Sequence, residues 1–542
     1  MSLPRAKVQI LSSELTAPGA GLARLGVPAA LAFLPIPPVT LTRMSTPRSG
    51  YVASFLLAAP LLLAAHVFAQ TAPAAPALDP ATNAALIRLG GQLMMAGKAY
   101  HYDRVLADGI GPRLTGSDNY VKAVAWAEDE FKRMGLSNVH ADPWEINATW
   151  EPEVWATASI LKPHVQRLHL EADGWSPSTP PGGVRGNVFY LPALTDEAIR
   201  SNAAKIKDAV ILVDNGTLKA GGPLLWGKAV DLLALLAKEG PRGVLLGTGA
   251  TNDVPSMIGL DCCNGMIDPL PTASVGLEDT LLLRRLLARE PVEVEFSFTN
   301  RIRQQVKVDN VVAEIPGADP GGAYVVVGGH LDSWQLGTGA EDNGTGAASV
   351  MAVAQAIEAT GIRPRRTLRF ILFGGEEEGL LGSIAYVRQH LADMDRCAGV
   401  FITDTGSEPP KGWYVWGRDD EKQALAPIEP LLSSLGAGGT SDDGEFTFDT
   451  DHGPFLIHGV PSYVLWTPTT KYMRLHHKPS DTFDKVNQRD LNLGAAVVGV
   501  TALAIADAPA VLPHLTPDQL ATQLKKIKAW DEYEDMQSHN MF

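Results

Sequence analysis

The sequence predicts an α/β fold, in which a mixed central sheet carries helices on both faces and a smaller α+β domain is inserted. Three observations lead to this prediction. From residue 310 onward, apolar stretches of strand length alternate with stretches of helical periodicity, as in α/β sheets. Residues 182–301 form a second, self-contained series of strands and helices. Pro and Gly cluster at 177–183, just before that series, and indicate a domain boundary.

The individual elements are predicted from the spacing of apolar residues. Residues 120–134 have helical spacing and follow the turn-rich stretch Gly-Pro-Arg-Leu-Thr-Gly-Ser at 111–117. Strand-like alternation follows at 153–161. The other predicted strands are 209–213, 243–247, 292–298, 323–328, 367–373, 399–403 and 462–466. The other predicted helices are 227–238, 278–287, 344–359, 380–391, 421–432, 490–506 and a solvated surface helix at 518–530.

Residues 1–69 are predicted to be a leader and not part of the fold. The segment that begins at Met44 has a basic Arg48, an apolar run over 51–67 and the small residue Ala69, which is the pattern of a secretory signal. A membrane-spanning anchor is disfavoured, because the run contains Pro60 and His66 and is shorter than the ~20 apolar residues that a span needs. We therefore expect a secreted or periplasmic protein with no membrane span in its mature form and with Met44 as the true start.

The rest of the chain divides into three predicted parts. An Ala- and Pro-rich linker opens the main domain, and a short region after residue 510 is predicted as a C-terminal helical tail. The predicted boundaries are 70–181 and 302–510 for the main domain, 182–301 for the insert and 511–542 for the tail.

Composition excludes several classes of function. Asp and Glu number 60 against 45 Lys and Arg, a net charge of −15, so the chain lacks the basic surface that binds nucleic acid or anionic membranes. The three cysteines, Cys262, Cys263 and Cys397, are too few for a disulfide scaffold or a Cys-rich zinc site. A metal site would therefore use His, Asp and Glu.

Side chains that could bind metal follow four predicted strands. The carboxyl ends of strands are where α/β sheets form their sites. Three adjacent carboxylates at 376–378 would repel one another unless a positive charge stabilises them, although Glu378 is explained as well by a solvated helix start. The candidate residues along the chain are His330, Asp332, Asp342, Glu376, Glu377, Asp404, His477 and Asp481.

These motifs, in this order, resemble the co-catalytic zinc exopeptidase family that includes bacterial leucyl aminopeptidase and glutamate carboxypeptidase II. The string His-Leu-Asp-Ser-Trp at 330–334, with Gly-x-Gly-Ala at 337–340, is typical of one carboxypeptidase branch of that family. In that branch a protease-associated domain stands where residues 182–301 are inserted. The chain departs from the branch at Asn343, where Asp is usual, and at Lys478 and Pro479.

The resemblance implies two Zn²⁺ ions. One would be held by His330 and Asp404, the second by Glu377 and His477, and Asp342 would bridge both. Imidazole and carboxylate are suitable ligands for zinc. The resemblance also implies a cis peptide bond between residues 342 and 343.

The remaining candidate residues have supporting roles in this interpretation. Glu376 is the expected general base, which takes a proton from a metal-bridging water and passes it to the leaving amine. Asp332 is expected to orient His330 through its other ring nitrogen, and Asp481 to do the same for His477. His476 is expected to face outward.

The implied function is an exported di-zinc metallopeptidase that hydrolyses small peptides, dipeptides in particular. Two alternatives remain open: an aminopeptidase that acts on longer peptides, and a non-catalytic binding protein on the same fold. A carboxypeptidase would need a cation at the substrate carboxylate, for which Arg474 and Lys478 are candidates, whereas an aminopeptidase would need a carboxylate at the substrate amine. The expected partner is a small peptide substrate, without nucleic acid, and a homodimer is left open.

Overall fold

The computed structural model describes residues 78–221, 225–249, 251, 265–319, 322–444 and 446–541. These residues belong to a single compact unit. The predicted leader, and the cysteines Cys262 and Cys263, lie outside the described residues.

The described strands form one 14-stranded mixed sheet. Its order is β13-β12-β14-β11-β9-β10-β8-β4-β5-β6-β7-β3, and β1 pairs with β8 and β2. Neighbours β9, β10, β11 and β14 are parallel, whereas β8 runs antiparallel to β10. The strands are β1 Ser137–Lys162, β2 Gln166–Leu168, β3 Leu170–Ala172, β4 Val184–Tyr190, β5 Val210–Asp214, β6 Gly243–Gly247, β7 Thr272–Val275, β8 Glu293–Ile315, β9 Tyr324–His330, β10 Thr367–Phe373, β11 Cys397–Ile402, β12 Gly412–Tyr414, β13 Gly439–Ser441 and β14 Ser462–Trp466.

Helices connect most of the strands. The first nine are α1 Pro80–Ala96, α2 Ala99–Arg104, α3 Asp118–Met134, α4 Asp196–Ser201, α5 Ala203–Ile206, α6 Asn215–Ala220, α7 Trp226–Lys238, α8 Leu277–Leu287 and α9 Thr345–Thr360. The others are α10 Leu381–Gln389, α11 Leu391–Met394, α12 Asp419–Leu425, α13 Glu429–Ser434, α14 Gly453–Leu456, α15 Tyr472–Leu475, α16 Gln488–Asp507, α17 Pro517–Lys526 and α18 Trp530–Ser538.

Helices cover both faces of the sheet, as the sequence predicts. Successive side chains of a strand point to opposite faces. Val325 and Val327 of β9 accordingly pack in one core with α1, α3, α9 and α16, whereas Val326 packs in a second core with α10, α14, α17 and α18. The predicted α/β fold, a mixed central sheet with helices on both faces, is confirmed.

Helix α16 belongs to the first of these cores. By length and composition alone it is apolar enough to cross a membrane, but 78% of its apolar window is buried inside the protein. Val497, Val498 and Val500 are fully buried. The helix is therefore the central support of one face of the sheet.

Strands β1 and β8 are much longer than predicted. They pair antiparallel along nearly their whole length, with register shifts near Pro152 and Val154. The sequence predicts only 153–161 and 292–298, because Pro143 and Pro152 interrupt the alternation of β1. Proline is tolerated at these positions because, over residues 137–157, β1 has a partner strand on one side only among the described residues. It is an edge strand there.

Two predicted helices are broken in the structure. The helix predicted at 421–432 divides at Pro427, which lacks an N–H and cannot continue the hydrogen-bond pattern. The predicted helix at 518–530 ends at Lys526, and α18 comes next. Helix α17 lies at the surface with Lys525 and Lys526 exposed, as predicted, and buries one face through Leu520 and Leu524.

Candidate metal centre

The candidate metal centre lies at the carboxyl edge of the parallel strands. The loops that follow the parallel strands β9, β10, β11 and β14 meet at one edge of the sheet. The turn that precedes α9 reaches the same edge. Six predicted side chains, each at most 6% exposed, meet here: His330, Asp342, Glu376, Glu377, Asp404 and His477.

One half of the centre surrounds His330, the last residue of β9. Its Nε2 lies 3.2 Å from Oδ1 of Asp404 and 3.4 Å from Oδ1 of Asp342. One ligand atom from each of these three residues lies within 4.8 Å of the others, which is close enough to hold one ion.

The other half lies on the opposite oxygen of Asp342. Its Oδ2 is 3.3 Å from Nε2 of His477, and that nitrogen is 3.0 Å from Oε2 of Glu377. Asp342 therefore contacts both halves, with a different oxygen in each.

His476 also belongs to this half, and the prediction that it faces outward is wrong. Its Nε2 lies 3.5 Å from Oδ2 of Asp342, and its ring stacks on that of His477 with centroids 3.5 Å apart. The cause is local: after α15 the backbone turns at His477, whose φ is 57°, so both rings lie on the same side. The adjacent pair of histidines after β14 was the sequence signal for this residue.

Asp332 lies where it can orient His330. Nδ1 of His330 is 3.1 Å from the backbone carbonyl of Asp332 and 3.4 Å from its Oδ1. A donor bond from Nδ1 leaves Nε2 with its lone pair toward the centre. The Asp332 carboxylate is itself held by the hydroxyl of Thr115, which donates to Oδ2 at 2.9 Å.

Glu376 lies beside the centre, outside the two groups of candidate ligands. Its Oε2 lies 3.7 Å from Nε2 of His330. Its side chain is buried, so the carboxylate faces the centre and not bulk solvent.

Glu378 does not start a solvated helix as expected. It is 1% exposed, and burial together with the charge of Asp332 raises its pKa well above the usual value. The three carboxylates at 376–378 are thus all inside the protein. Repulsion among them must be offset within the site.

Asp481 forms hydrogen bonds with different residues from the one expected. Its two oxygens accept hydrogen bonds from the backbone N–H groups of Glu341 at 2.7 Å and Asp342 at 3.1 Å. It therefore positions the backbone of Asp342, whereas the sequence suggested contact with His477. The peptide bond between Asp342 and Asn343 is cis, which confirms that prediction.

The centre carries more negative charge than its histidines offset. Burial raises the pKa of Glu377 well above its usual value, and the charge of Asp342 adds to this. Burial also raises the pKa of Glu376 and Asp404. At His330 burial opposes the charged ring, but Asp404 and Glu376 outweigh it and raise its pKa well above the usual value. Such a buried anionic cluster is stabilised by bound cations.

The donor atoms fit a divalent metal. Oδ2 of Asp342 and Oε1 of Glu377 are buried and accept no hydrogen bond from the described residues. Buried carboxylate oxygens rarely lack such a bond, so these two are available as ligands. Imidazole nitrogen and carboxylate oxygen are the ligands that zinc takes where Cys is lacking.

Arg113 supports the centre and was missed by sequence reasoning. Its fully buried guanidinium donates to the carbonyls of Leu331 at 2.8 Å, Thr338 at 2.9 Å and Gly339 at 2.8 Å. These bonds fix the loop between His330 and Asp342. The stretch 111–117 carries only a turn signal, because these three carbonyl partners of Arg113 lie more than 200 residues away.

A small pocket opens beside the second half of the centre. It is lined by Trp334, Gly337, Gly339, Asp342, Glu377, His477, Lys478 and Asp481. The ammonium of Lys478 donates to the carbonyls of Met473 and Arg474, at 3.2 and 3.1 Å, so it caps α15. Arg474 is exposed.

Comparison with known proteins identifies the family of the chain. The sequence profile of peptidase family M28 matches residues 310–501, the stretch that contains the six residues of the centre. Carboxypeptidase Q of Bos taurus is 30% identical over 428 residues, which are 78% of this chain and 89% of that protein. Carboxypeptidase Q of Mus musculus is 29% identical over 432 residues, 79% of this chain and 90% of that protein.

Solved structures show the same fold. A peptidase M28 precursor from Shewanella amazonensis has a TM-score of 0.70 at 26% identity and covers 80% of this chain and 99% of its own. A zinc aminopeptidase from Bacillus subtilis has a TM-score of 0.58 at 21% identity and covers 74% of this chain and 93% of its own. The second likeness bears on the fold alone.

Fold and site together define a metallopeptidase, as expected from the sequence. The chain belongs to peptidase family M28. The carboxypeptidase branch indicated by residues 330–340 is that of carboxypeptidase Q, to which this chain is similar over most of its length.

Proposed function

We propose that the chain is an exported di-zinc exopeptidase that hydrolyses small peptides, dipeptides in particular. The observation that carries this proposal is the position of Asp342. Its Oδ1 lies 3.4 Å from His330 and its Oδ2 lies 3.3 Å from His477. A carboxylate placed in this way can bridge two ions, one held by His330 and Asp404 and the other by His477 and Glu377.

The reaction assigns separate tasks to the protein residues. Zinc, when bound, would lower the pKa of a water molecule and polarise the peptide carbonyl. Glu376 would accept the proton of the attacking water and deliver it to the leaving amine, because it lies beside the ligands and is not one of them. Asp332 would hold the ring of His330 in the orientation that presents Nε2.

The size of the pocket supports a small substrate. The pocket is small, and Trp334 and Lys478 lie on its wall. The similarity to carboxypeptidase Q, an exopeptidase by its name, supports cleavage at the end of a peptide.

We further propose that residues 182–301 are a protease-associated insert that limits substrate length. Strand β7 of this region pairs with β3, and the chain after β3 reaches Trp334 at the pocket. The insert thereby supports one wall of the pocket. Residues 70–181 and 302–510 would form the catalytic domain, and 511–542 the tail.

The test is hydrolysis of matched peptides by the zinc-loaded protein and by protein treated with a chelator. Free dipeptides are compared with N-acetylated dipeptides, C-amidated dipeptides and peptides of five or more residues. The proposal expects free dipeptides to be cleaved fastest, and activity to return when zinc is added to the chelated protein.

Each other outcome selects an alternative. Faster cleavage of long peptides with a free amine would identify an aminopeptidase. Tight binding of peptides without cleavage, in zinc-loaded protein, would identify a binding protein. Failure of the C-amidated peptide alone would indicate recognition of the substrate carboxylate.

The export part of the proposal has its own measurement. Cleavage after Ala69 would give a mature chain that begins near Gln70. Intact-mass measurement of protein recovered outside the cytoplasm is expected to show this start. Retention of residues 44–69 in that material would contradict export through a cleaved signal.

A further inference from the structure

A tryptophan beside the metal centre has an unused hydrogen-bond donor. Trp334 lines the pocket together with Asp342, Glu377 and His477, and it is 4% exposed. Its indole Nε1 is buried and has no hydrogen-bond partner among the described residues. Buried donors in native proteins are nearly always paired, so an unpaired one beside a reactive centre calls for a partner.

Packing fixes the indole ring in place. The ring is perpendicular to Trp175, with centroids 6.1 Å apart, and meets His477 edgewise at 5.9 Å. Gly174 leaves room for its six-membered end, because a Cβ there would lie 2.3 Å from Cη2 and 2.5 Å from Cζ3. The N–H belongs to the five-membered ring, so it lies away from Gly174. The hydrogen-bonding capacity of the ring is therefore not needed to hold it.

We propose that Trp334 is a substrate-binding residue whose indole N–H donates to an oxygen of the bound peptide. This inference rests on the proposed function and deepens it. An indole N–H only donates, so it binds a carboxylate or carbonyl oxygen and not the substrate ammonium. It is also neutral, and so it holds such an oxygen beside bound cations without repelling them.

The cationic lysine side chain of the pocket wall is engaged elsewhere. Lys478 lines the same pocket, but its ammonium donates to the carbonyls of Met473 and Arg474. One of the two cations that the sequence offers as candidates for the substrate carboxylate thus caps a helix. Trp334 supplies an alternative donor for that oxygen.

The first test is Trp334→Phe, which keeps an aromatic ring against Gly174 and Trp175 and removes the N–H. We expect unchanged zinc content and a KM about tenfold higher for the free dipeptide, with little change in kcat, as for loss of a contact made equally in ground and transition states. A rise in KM for the dipeptide with a free C-terminal carboxylate, but not for the C-amidated dipeptide, identifies that carboxylate as the partner of the N–H. A similar rise in KM for the C-amidated dipeptide identifies a carbonyl oxygen of the substrate as the partner. Both results support the proposal.

Trp416→Phe is the matched control. Trp416 is likewise a buried tryptophan whose Nε1 has no partner among the described residues, but it stacks on His452 outside the pocket lining. This variant is expected to keep the wild-type KM. Equal losses in both variants would overturn the proposal, as would wild-type kinetics of Trp334→Phe on every peptide.

Two glycine-to-alanine substitutions test whether the position of the Trp334 ring matters. Gly174→Ala would displace Trp334, and we expect a lower kcat/KM with zinc retained. Gly91→Ala is the control, because a Cβ at that helical position meets nothing within 4 Å. If Gly174→Ala leaves kcat/KM at the wild-type value, the ring position is irrelevant to binding and the proposal is wrong.

A binding measurement separates this inference from the proposed function. The same dipeptides are titrated into zinc-loaded Glu376→Gln protein, with and without Trp334→Phe, so that turnover plays no part. About tenfold weaker binding in the double variant supports the inference even if the wild-type protein hydrolyses nothing, which would refute only the proposed function. Equal binding by both proteins overturns the inference.

Discussion

Oε2 of Glu376 lies 3.7 Å from Nε2 of His330, farther than the Asp404 and Asp342 oxygens, which lie 3.2 and 3.4 Å from the same nitrogen. The neighbouring Glu377 instead contacts His477 at 3.0 Å. Consecutive glutamates therefore face different halves of the centre. In the proposed function, Glu377 would be a metal ligand and Glu376 the general base.

Glu376→Gln is expected to keep the metal and lose the reaction. The amide is nearly isosteric but cannot accept a proton, so kcat should fall by about 10² to 10⁴. Zinc content by mass spectrometry and kcat on a free dipeptide measure the two effects. Glu377→Gln is the matched control and should lose zinc. The reverse pattern would mean that the two roles are interchanged.

Asp342→Ala is expected to lower zinc occupancy at both halves of the centre, because each half uses one of its oxygens. Zinc content after dialysis should fall well below that of Asp404→Ala, which removes a ligand from one half only. Retention of one tightly held zinc in Asp342→Ala would show that this residue does not bridge.

His476 and His477 should differ in their effect on metal binding. His477 contacts both Asp342 and Glu377, whereas His476 contacts the carboxylate of Asp342. We expect His477→Ala to lose zinc, and His476→Ala to weaken zinc binding about 10- to 100-fold, as for residues that support a ligand. Competition with a chelator gives both affinities. Equal losses would make His476 a ligand in its own right.

The metal-free protein should lose stability as pH rises. Burial raises the pKa of Asp451 to about 8 and that of Asp481 to about 7. Both groups release their protons near pH 4 when unfolded, so their contribution to folding is complete below pH 4 and is lost as pH rises through 7 and 8.

Urea unfolding of chelated protein at pH 5 and pH 8 measures this dependence. The free energy of unfolding should be lower at pH 8, and Asp451→Asn should reduce the difference. Zinc should reduce it as well, because bound cations favour the ionised carboxylates. A chelated protein that is more stable at pH 8 would contradict the burial of protonated carboxyl groups.

Much of this site could be located from the sequence, for a simple reason. Parallel strands bring the residues at their carboxyl ends to one edge of the sheet, so His330, Glu376 and Asp404 could be placed together from strand pattern alone. Neither the distances nor the roles of these residues can be obtained from that pattern.

The features that sequence reasoning missed depend on contacts between distant segments. Asp481 meets the backbone of Glu341, 140 residues earlier, and Arg113 meets Leu331, 218 residues later. Glu378 was expected at the surface because acidic residues suit a helix start, but the protein covers it. Local periodicity does not encode such contacts.

The length of β1 and β8 has a consequence for how the molecule unfolds. Strand β8 pairs at one end with β10 beside the metal centre and at the other end with β4 of residues 182–301, and β1 pairs with β8 along nearly its whole length. A hinge would have to disrupt a ladder of backbone hydrogen bonds, and excision of residues 182–301 would leave the distal part of β1 without its partner. The two regions should therefore melt in one cooperative transition, and neither should be obtainable as an autonomous folding unit.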